Sequence, residues 1–269
     1  LACGEPEEIA PVCDTEYAAV SVLRFGRAEE GVCPGFDLDG HVTSSGDSEG
    51  CGAADYVDAE GNQGIDSSFA GLLPILDATE AAALEPLVQD FINNGTILLL
   101  LEMSGFDEGS DPGCGSFRVL RGADVPLVGT DGYLLPGQTL AIEDATALTP
   151  VGASHDAQGR YTATGFSFDL DVQIFDADIH LPISNGAARV WRAEDGRYVG
   201  SIGGGFPYAS VLDALLETNI DAGLKELLPT VLEAAADLDL DGDGVCESIS
   251  VTLEVELVRV WLYPDAVGA

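Results

Sequence analysis

From Phe166 onward the chain alternates without a break: Phe166, Phe168, Leu170, Val172 and Ile174 are apolar, and Ser167, Asp169, Asp171 and Gln173 are polar. Side chains that change face at every residue belong to a β-strand with one face covered. The phase then inverts, and Phe175, Ala177, Ile179 and Leu181 become the apolar set. The C-terminal segment behaves alike, with Ile249, Val251, Leu253, Val255 and Leu257 followed by Val258, Val260 and Leu262. A period of two that slips by one residue reads as a β-bulge in a long, bent strand. Two such strands predict a strongly curved antiparallel sheet, either a sandwich or a barrel.

The remaining elements are placed around that sheet. Residues 18–25 and the run Ile97–Met103 (ILLLLEM) read as strands, the second buried on both faces. Shorter strands are predicted near 116–121, 125–129, 132–135, 138–142, 186–193 and 197–203, and a helix over 79–91. Apolar residues at spacings of three and four predict two C-terminal helices within 207–236, with Pro229 kinking or dividing the second. Residues 1–16 look like a tether, and 26–66, rich in Gly, Asp, Ser and Cys, like a disulfide-stapled loop region. The expected fold is therefore α+β, mostly β, in one domain over 1–269, with a β-rich core from residue 94.

Charge narrows the function classes. The chain of 269 residues has 47 acidic and 10 basic residues, a formal net charge of −37. Phosphate backbones demand clustered Lys and Arg, so nucleic-acid binding is excluded as a class, and anionic lipid headgroups are disfavoured. Spread evenly, such charge is largely screened by salt. Clustered carboxylates instead require cations, and their positions matter most.

The six cysteines, at 3, 13, 33, 51, 114 and 246, form no C-x-x-C pair and hold no zinc-ligand spacing with His. Thinly spread in an acidic chain, they read as disulfides of an exported protein. The one pairing predicted is Cys13 with Cys33, close in sequence. Leu1-Ala2-Cys3-Gly4 followed by Glu5-Pro6-Glu7-Glu8 resembles the lipobox and acidic tether of bacterial lipoproteins. Two readings of Cys3 stand side by side: a lipidated residue, or a disulfide partner. No apolar run reaches the roughly 18 residues that a membrane-spanning helix needs.

The sharpest motif is Asp237-Leu-Asp239-Leu-Asp241-Gly-Asp243-Gly244-Val245-Cys246-Glu247. Alternate carboxylates followed by Gly let a loop wrap a hard cation with oxygen ligands. With Asp239 first, Asp241 is third, Asp243 fifth, Gly244 sixth, the Val245 carbonyl seventh and Glu247 ninth. This resembles the calcium loops of EF-hands, dockerins and thrombospondin type 3 repeats. It departs from them at the twelfth position, where Ser250 replaces the bidentate Glu, and in the strand that follows. The resemblance implies a structural calcium loop between helix and strand, with Asp237, Glu247 or another loop completing the shell. The alternative is a solvated acidic turn.

A second candidate cation loop comprises Asp58, Glu60, Asn62, Gly64 and Asp66, with Asp55 in reach; its alternative is a cluster of Asx turns. Phe36-Asp37-Leu38-Asp39-Gly40 carries only D-x-D-G, and Asp107, Glu108 and Asp111 form another acidic loop. No catalytic constellation emerges. His155 lacks a nucleophile context, His180 falls on the polar face of a strand, and Ser201–Gly205 has no following Lys and so is no phosphate loop.

The order of these features resembles uncharacterised acidic lipoproteins of bacterial cell surfaces, which implies location and calcium. The expected function is non-enzymatic: a calcium-stabilised exported protein of the cell surface or an extracellular assembly, with neighbouring subunits as partners. The alternatives are a carrier for an apolar ligand, with Phe166, Phe168, Phe175 and Trp191 lining its site, and a secreted hydrolase.

Overall fold

A computed structural model describes residues 13–47, 50–77, 84–107, 109–110, 112–143, 149–174, 177–217 and 222–263. Its centre is a closed antiparallel barrel. The strands are β1 (Thr15–Phe25), β2 (Leu99–Ser104), β3 (Ser116–Arg121), β5 (Val151–His155), β6 (Tyr161–Ile174), β7 (Ala177–Arg192), β8 (Tyr198–Pro207) and β9 (Ser248–Arg259). Each pairs with its predecessor in that order, and β9 returns to β1 through Leu257↔Val20. Two short strands, β4 (Thr139–Leu140) and β10 (Trp261–Leu262), pair with each other outside the barrel.

Large apolar side chains fill the interior. Phe117 on β3 meets Phe166 on β6 with ring centroids 4.9 Å apart, across the intervening β5. Phe106 touches both Tyr161 on β6 and Tyr198 on β8. The Tyr161 hydroxyl donates to the carbonyls of Ser104 and Ser116. Burial, with the charge of Glu102 adding to it, pushes its pKa far above the usual tyrosine range.

Four helices complete the fold: α1 (Ser68–Asp77), α2 (Leu84–Asn94), α3 (Tyr208–Glu217) and α4 (Ala222–Ala235). α1, α3 and α4 pack near the end where β1 and β8 finish and β9 begins, with Phe69 between Phe25 and Phe206. α2 lies against β1. Together with the segment 122–142, it covers the outer residues Ala19, Leu100 and Leu120 through Ile92, Leu134 and Leu140. This explains the apolar run Ile97–Met103: both faces of β2 are buried.

The expected mostly-β fold, with a curved sheet and two C-terminal helices, is what forms. Several local readings change. The inversion at Phe175 is not a bulge, because β6 and β7 are the two arms of a hairpin, with Ile174 opposite Ala177. Real bulges lie elsewhere, at Gly165 and near Asn185, where the register shifts and both residues have positive φ. Beside the late switch to Val258 and Val260 the register does shift, but in the partner strand: Leu257 pairs with Val20 and Glu256 with Val22, so Ser21 of β1 is the extra residue. Val258 lies opposite Ala19, where the outside of the barrel is also covered.

The expected tether yields to β1 from Thr15, and a helix at 68–77 precedes α2. The start of the expected helix at Thr79, and Cys3 with the rest of 1–12, lie outside the described residues. Pro229 sits inside α4 without dividing it.

Cys13 bonds to Cys114, not to Cys33. β1 intervenes between Cys13 and Cys33 and carries the chain about 35 Å along the barrel. Gly105, whose amide donates to the Asp14 carbonyl, holds the 112–114 turn beside Cys13 instead. The second bridge is Cys51–Cys246, and Cys33 is a buried thiol.

Candidate metal centre

Two loops pack on the outside of β7–β9 and carry the carboxylates. Their apolar roots form a small second core of Phe36, Leu38, Ala187 and Leu238. The strands make room with glycine. A Cβ on Gly203 would lie 2.6 Å from the Phe36 ring, and one on Gly205 would lie 2.8 Å from Leu238. Close packing therefore explains the Gly-rich Ser201–Gly205 stretch.

The first loop leads from α4 to β9. The Asp239 carboxylate accepts from the amides of Gly242 and Gly244, both at 2.8 Å. Asp241 accepts from the Asp243 amide at 3.1 Å, and Asp243 from the Val245 amide at 2.8 Å. Gly242 and Gly244 have φ of 76° and 87°, a region that L-residues avoid. The Gly244 amide, aided by that of Gly242, holds the Asp239 carboxyl below its ordinary range. Asp239, Asp241, Asp243 and Glu247 each bring a carboxylate oxygen within 4.8 Å of the others. Glu247 Oε1 accepts from the Leu240 amide at 3.4 Å, while Oε2 is buried without a hydrogen-bond partner.

Asp237 does not join this group. It is 4% exposed and turns towards β9, where the Ser250 amide donates to Oδ1 at 2.7 Å and the Ser250 hydroxyl to Oδ2. Burial pushes its pKa up to about 6 against those hydrogen bonds. Ser250, at the twelfth position, thus anchors Asp237. Val245 has an exposed side chain, and its amide serves Asp243.

The second loop contains Phe36–Gly40. The Asp66 amide donates to the Phe36 carbonyl, which brings the Asp66 carboxylate beneath the loop. Asp66 Oδ2 accepts from the amides of Leu38 (2.6 Å) and Asp39 (3.3 Å). Gly40 donates to Asp37 Oδ1 and His41 to Asp39 Oδ1. Asp37, Asp39 and Asp66 form a second group with carboxylate oxygens within 4.8 Å of one another. Asp66 is 3% exposed, and burial raises its pKa to about 8, with the charges of Asp39, Asp237 and Asp55 adding to the shift. A carboxyl this buried, beside other carboxylates and without a cation, needs either a proton or a metal to neutralise it.

The predicted Asp58–Asp66 loop is not one site. Asp58 accepts from the amides of Glu60 and Asn62 and from Asn62 Nδ2 at 2.7 Å, which closes an Asx turn. Burial raises the Asp58 pKa, but these bonds outweigh it and leave the carboxyl below its ordinary value. Glu60 pairs with Arg160 at 2.9 Å. Gly64 lies against Asp37 and His41, and Asp66 joins Asp37 and Asp39. No sequence period signals that union. It depends on a backbone bridge between residues thirty apart, Phe36 and Asp66.

One member of each group, Asp39 and Asp239, lines a cleft of about 680 Å³. Asp39 and His41 line one side, Asp239 and Gly244 the other, and the Cys51–Cys246 bridge closes it. Hard oxygen donors without thiolate or imidazole suit Ca²⁺, Mg²⁺ or Mn²⁺. The clusters can coordinate a divalent metal ion.

Other polar residues are otherwise engaged. His155 Nε2 bonds the Phe106 carbonyl at 2.8 Å. His180 sits exposed beside Asp171 and Asp169. Asp107 lies 3.6 Å from Arg192, while Glu108 and Asp111 fall outside the described residues. No protein-family model, curated protein or solved structure matches the chain.

Proposed function

We propose that this protein is a non-catalytic, exported, calcium-dependent binding module. The observation that carries the reading is the pair of carboxylate groups on two neighbouring loops of a closed barrel, with Asp39 and Asp239 lining the cleft between them. Calcium is favoured over magnesium because the Asp239–Glu247 loop offers several carboxylates in flexible geometry, and magnesium dehydrates reluctantly. Two disulfides support an oxidising compartment. A binding role is favoured over a building block of an assembly because the two carboxylate loops border a cleft on the barrel wall.

Calorimetric titration of chelator-treated protein tests this. Calcium uptake is expected, with loss of one site in the Asp239→Asn/Asp243→Asn variant. An absence of heat and an unchanged melting temperature in excess chelator would falsify it.

An apolar ligand is the second reading, favoured by the eight-stranded barrel itself. Phe166 and Phe168 are buried in the core, where Phe166 stacks on Phe168 and meets Phe117 at a tilt, so such a ligand must displace that aromatic group. Trp191 instead lies under the Arg160 guanidinium, 6.0 Å from its ring, and the Phe175 side chain is outside the described set. Co-purifying lipid in native mass spectrometry supports this second reading.

A further inference from the structure

The Cys51–Cys246 bridge occupies an unusual place. Cys246 directly precedes Glu247, the member of the Asp239–Glu247 group whose Oε2 is buried without a partner. Both bridge residues line the cleft that Asp39 and Asp239 border, and both are only half-buried. Backbone bonds between Ser248 and both Asp237 and Leu238 close the base of the loop, and the residues just before Ser248 are held more lightly. Val245 is exposed, the Glu247–Leu240 bond is long at 3.4 Å, and the Glu247 carbonyl accepts from the Tyr208 amide at 3.1 Å. Cys51 itself has φ of 62°, a conformation that costs a non-glycine residue energy and persists only under constraint.

We infer that the Cys51–Cys246 disulfide is a redox-sensitive clamp on cation binding at the Asp239–Glu247 loop. The inference rests on the calcium reading above. In the clamped state Glu247 is held where it faces Asp239, Asp241 and Asp243. A dithiol reductant opens the clamp. Its thiolate attacks one sulfur to give a mixed disulfide, its second thiolate closes the cyclic oxidised reductant, and two electrons and two protons end on the thiols of Cys51 and Cys246. The loop then loses its tie to residues 50–52, and the cation must order it on binding.

Linkage makes the effect reciprocal. If clamping strengthens calcium binding by about tenfold, calcium must make the bridge harder to reduce by the same factor, about 30 mV for a two-electron couple. The other bridge, Cys13–Cys114, lies at the opposite end of β1 and supplies an internal control.

The experiment compares calcium titrations of the oxidised full chain, Cys51→Ser/Cys246→Ser and Cys13→Ser/Cys114→Ser. The expected result is about tenfold or greater weakening in the first variant and less than about twofold in the second. Equal affinity in both variants and the native chain overturns the clamp while leaving calcium binding intact. No binding by the oxidised chain overturns the calcium reading itself. A second measurement needs no variant: the midpoint of each bridge in a dithiol redox buffer, read by alkylation and mass spectrometry with and without calcium. A shift of about 30 mV towards harder reduction, confined to Cys51–Cys246, is expected; an unshifted midpoint overturns the clamp.

Discussion

Ser250 holds Asp237 with two groups at once, its amide at 2.7 Å and its hydroxyl. The same hydroxyl oxygen accepts from the Ser68 amide at 2.7 Å, at the first residue of α1. One fully buried side chain thus joins β9, the root of the metal loop and a helix start. Ser250→Ala leaves the Ser68 amide and one Asp237 oxygen without that partner. Denaturant unfolding is expected to show a loss of about 1–3 kcal/mol. A change under half a kcal/mol would mean that water replaces the hydroxyl.

Asp66→Asn separates the roles of charge and shape. The amide keeps an oxygen for the Leu38 and Asp39 amides and removes the carboxylate that burial raises to about 8. In chelator the variant should be at least as stable as the native chain, because no charge or proton need be buried. In calcium the order should reverse, as the metal loses one of three carboxylates. Melting curves under both conditions check this, and the same order in both would exclude Asp66 from the site.

Gly203→Ala tests how the acidic loops sit on the barrel. The new methyl would lie 2.6 Å from the Phe36 ring, inside the small second core. The expected loss is about 1–3 kcal/mol, as for other overpacked sites. Because Phe36 adjoins Asp37, calcium affinity should fall as well. Native affinity in this variant would show that the loop moves independently of its root.

Asp156 supplies a pH signature away from the metal loops. Burial raises its pKa, but the Arg160 amide at 2.9 Å and the Arg160 guanidinium at 2.7 Å outweigh that and depress it. A depressed carboxyl stabilises the fold above its unfolded value of about 3.9, and that contribution fades as pH falls through the lower folded value. Asp156→Asn should therefore cost about 1 kcal/mol near neutrality and progressively less below about pH 4. A difference that stays constant down to pH 2.5 would refute this assignment.

How far the sequence could be read depended on the range of each interaction. Alternation at Phe166–Ile174 and Ile249–Leu257 is local and marked the curved sheet directly. The Asp239–Glu247 loop is also local, since its carboxylates, its turns and its glycines are neighbours. The β6–β7 hairpin was hidden because Phe175-Asp176 lacks the Asn-Gly or Asp-Gly signature of a two-residue turn, so its inversion looked like a bulge. Asp37, Asp39 and Asp66 were visible individually, but the fold alone makes them one group. Cysteine pairing failed for the same reason, because closeness in sequence is a poor guide when a strand of eleven residues intervenes.

The two half-cystines at the cleft stand 195 residues apart in the chain. During synthesis Cys51 therefore leaves the ribosome long before Cys246 exists, while Cys13 and Cys33 are already present as nearer partners. Whatever oxidises this chain must leave Cys51 unpaired, or repair its early mistakes, until β9 is about to close the barrel. A native Cys51–Cys246 bond is thus a molecular receipt for synthesis past residue 246, and a product truncated before that residue cannot carry it.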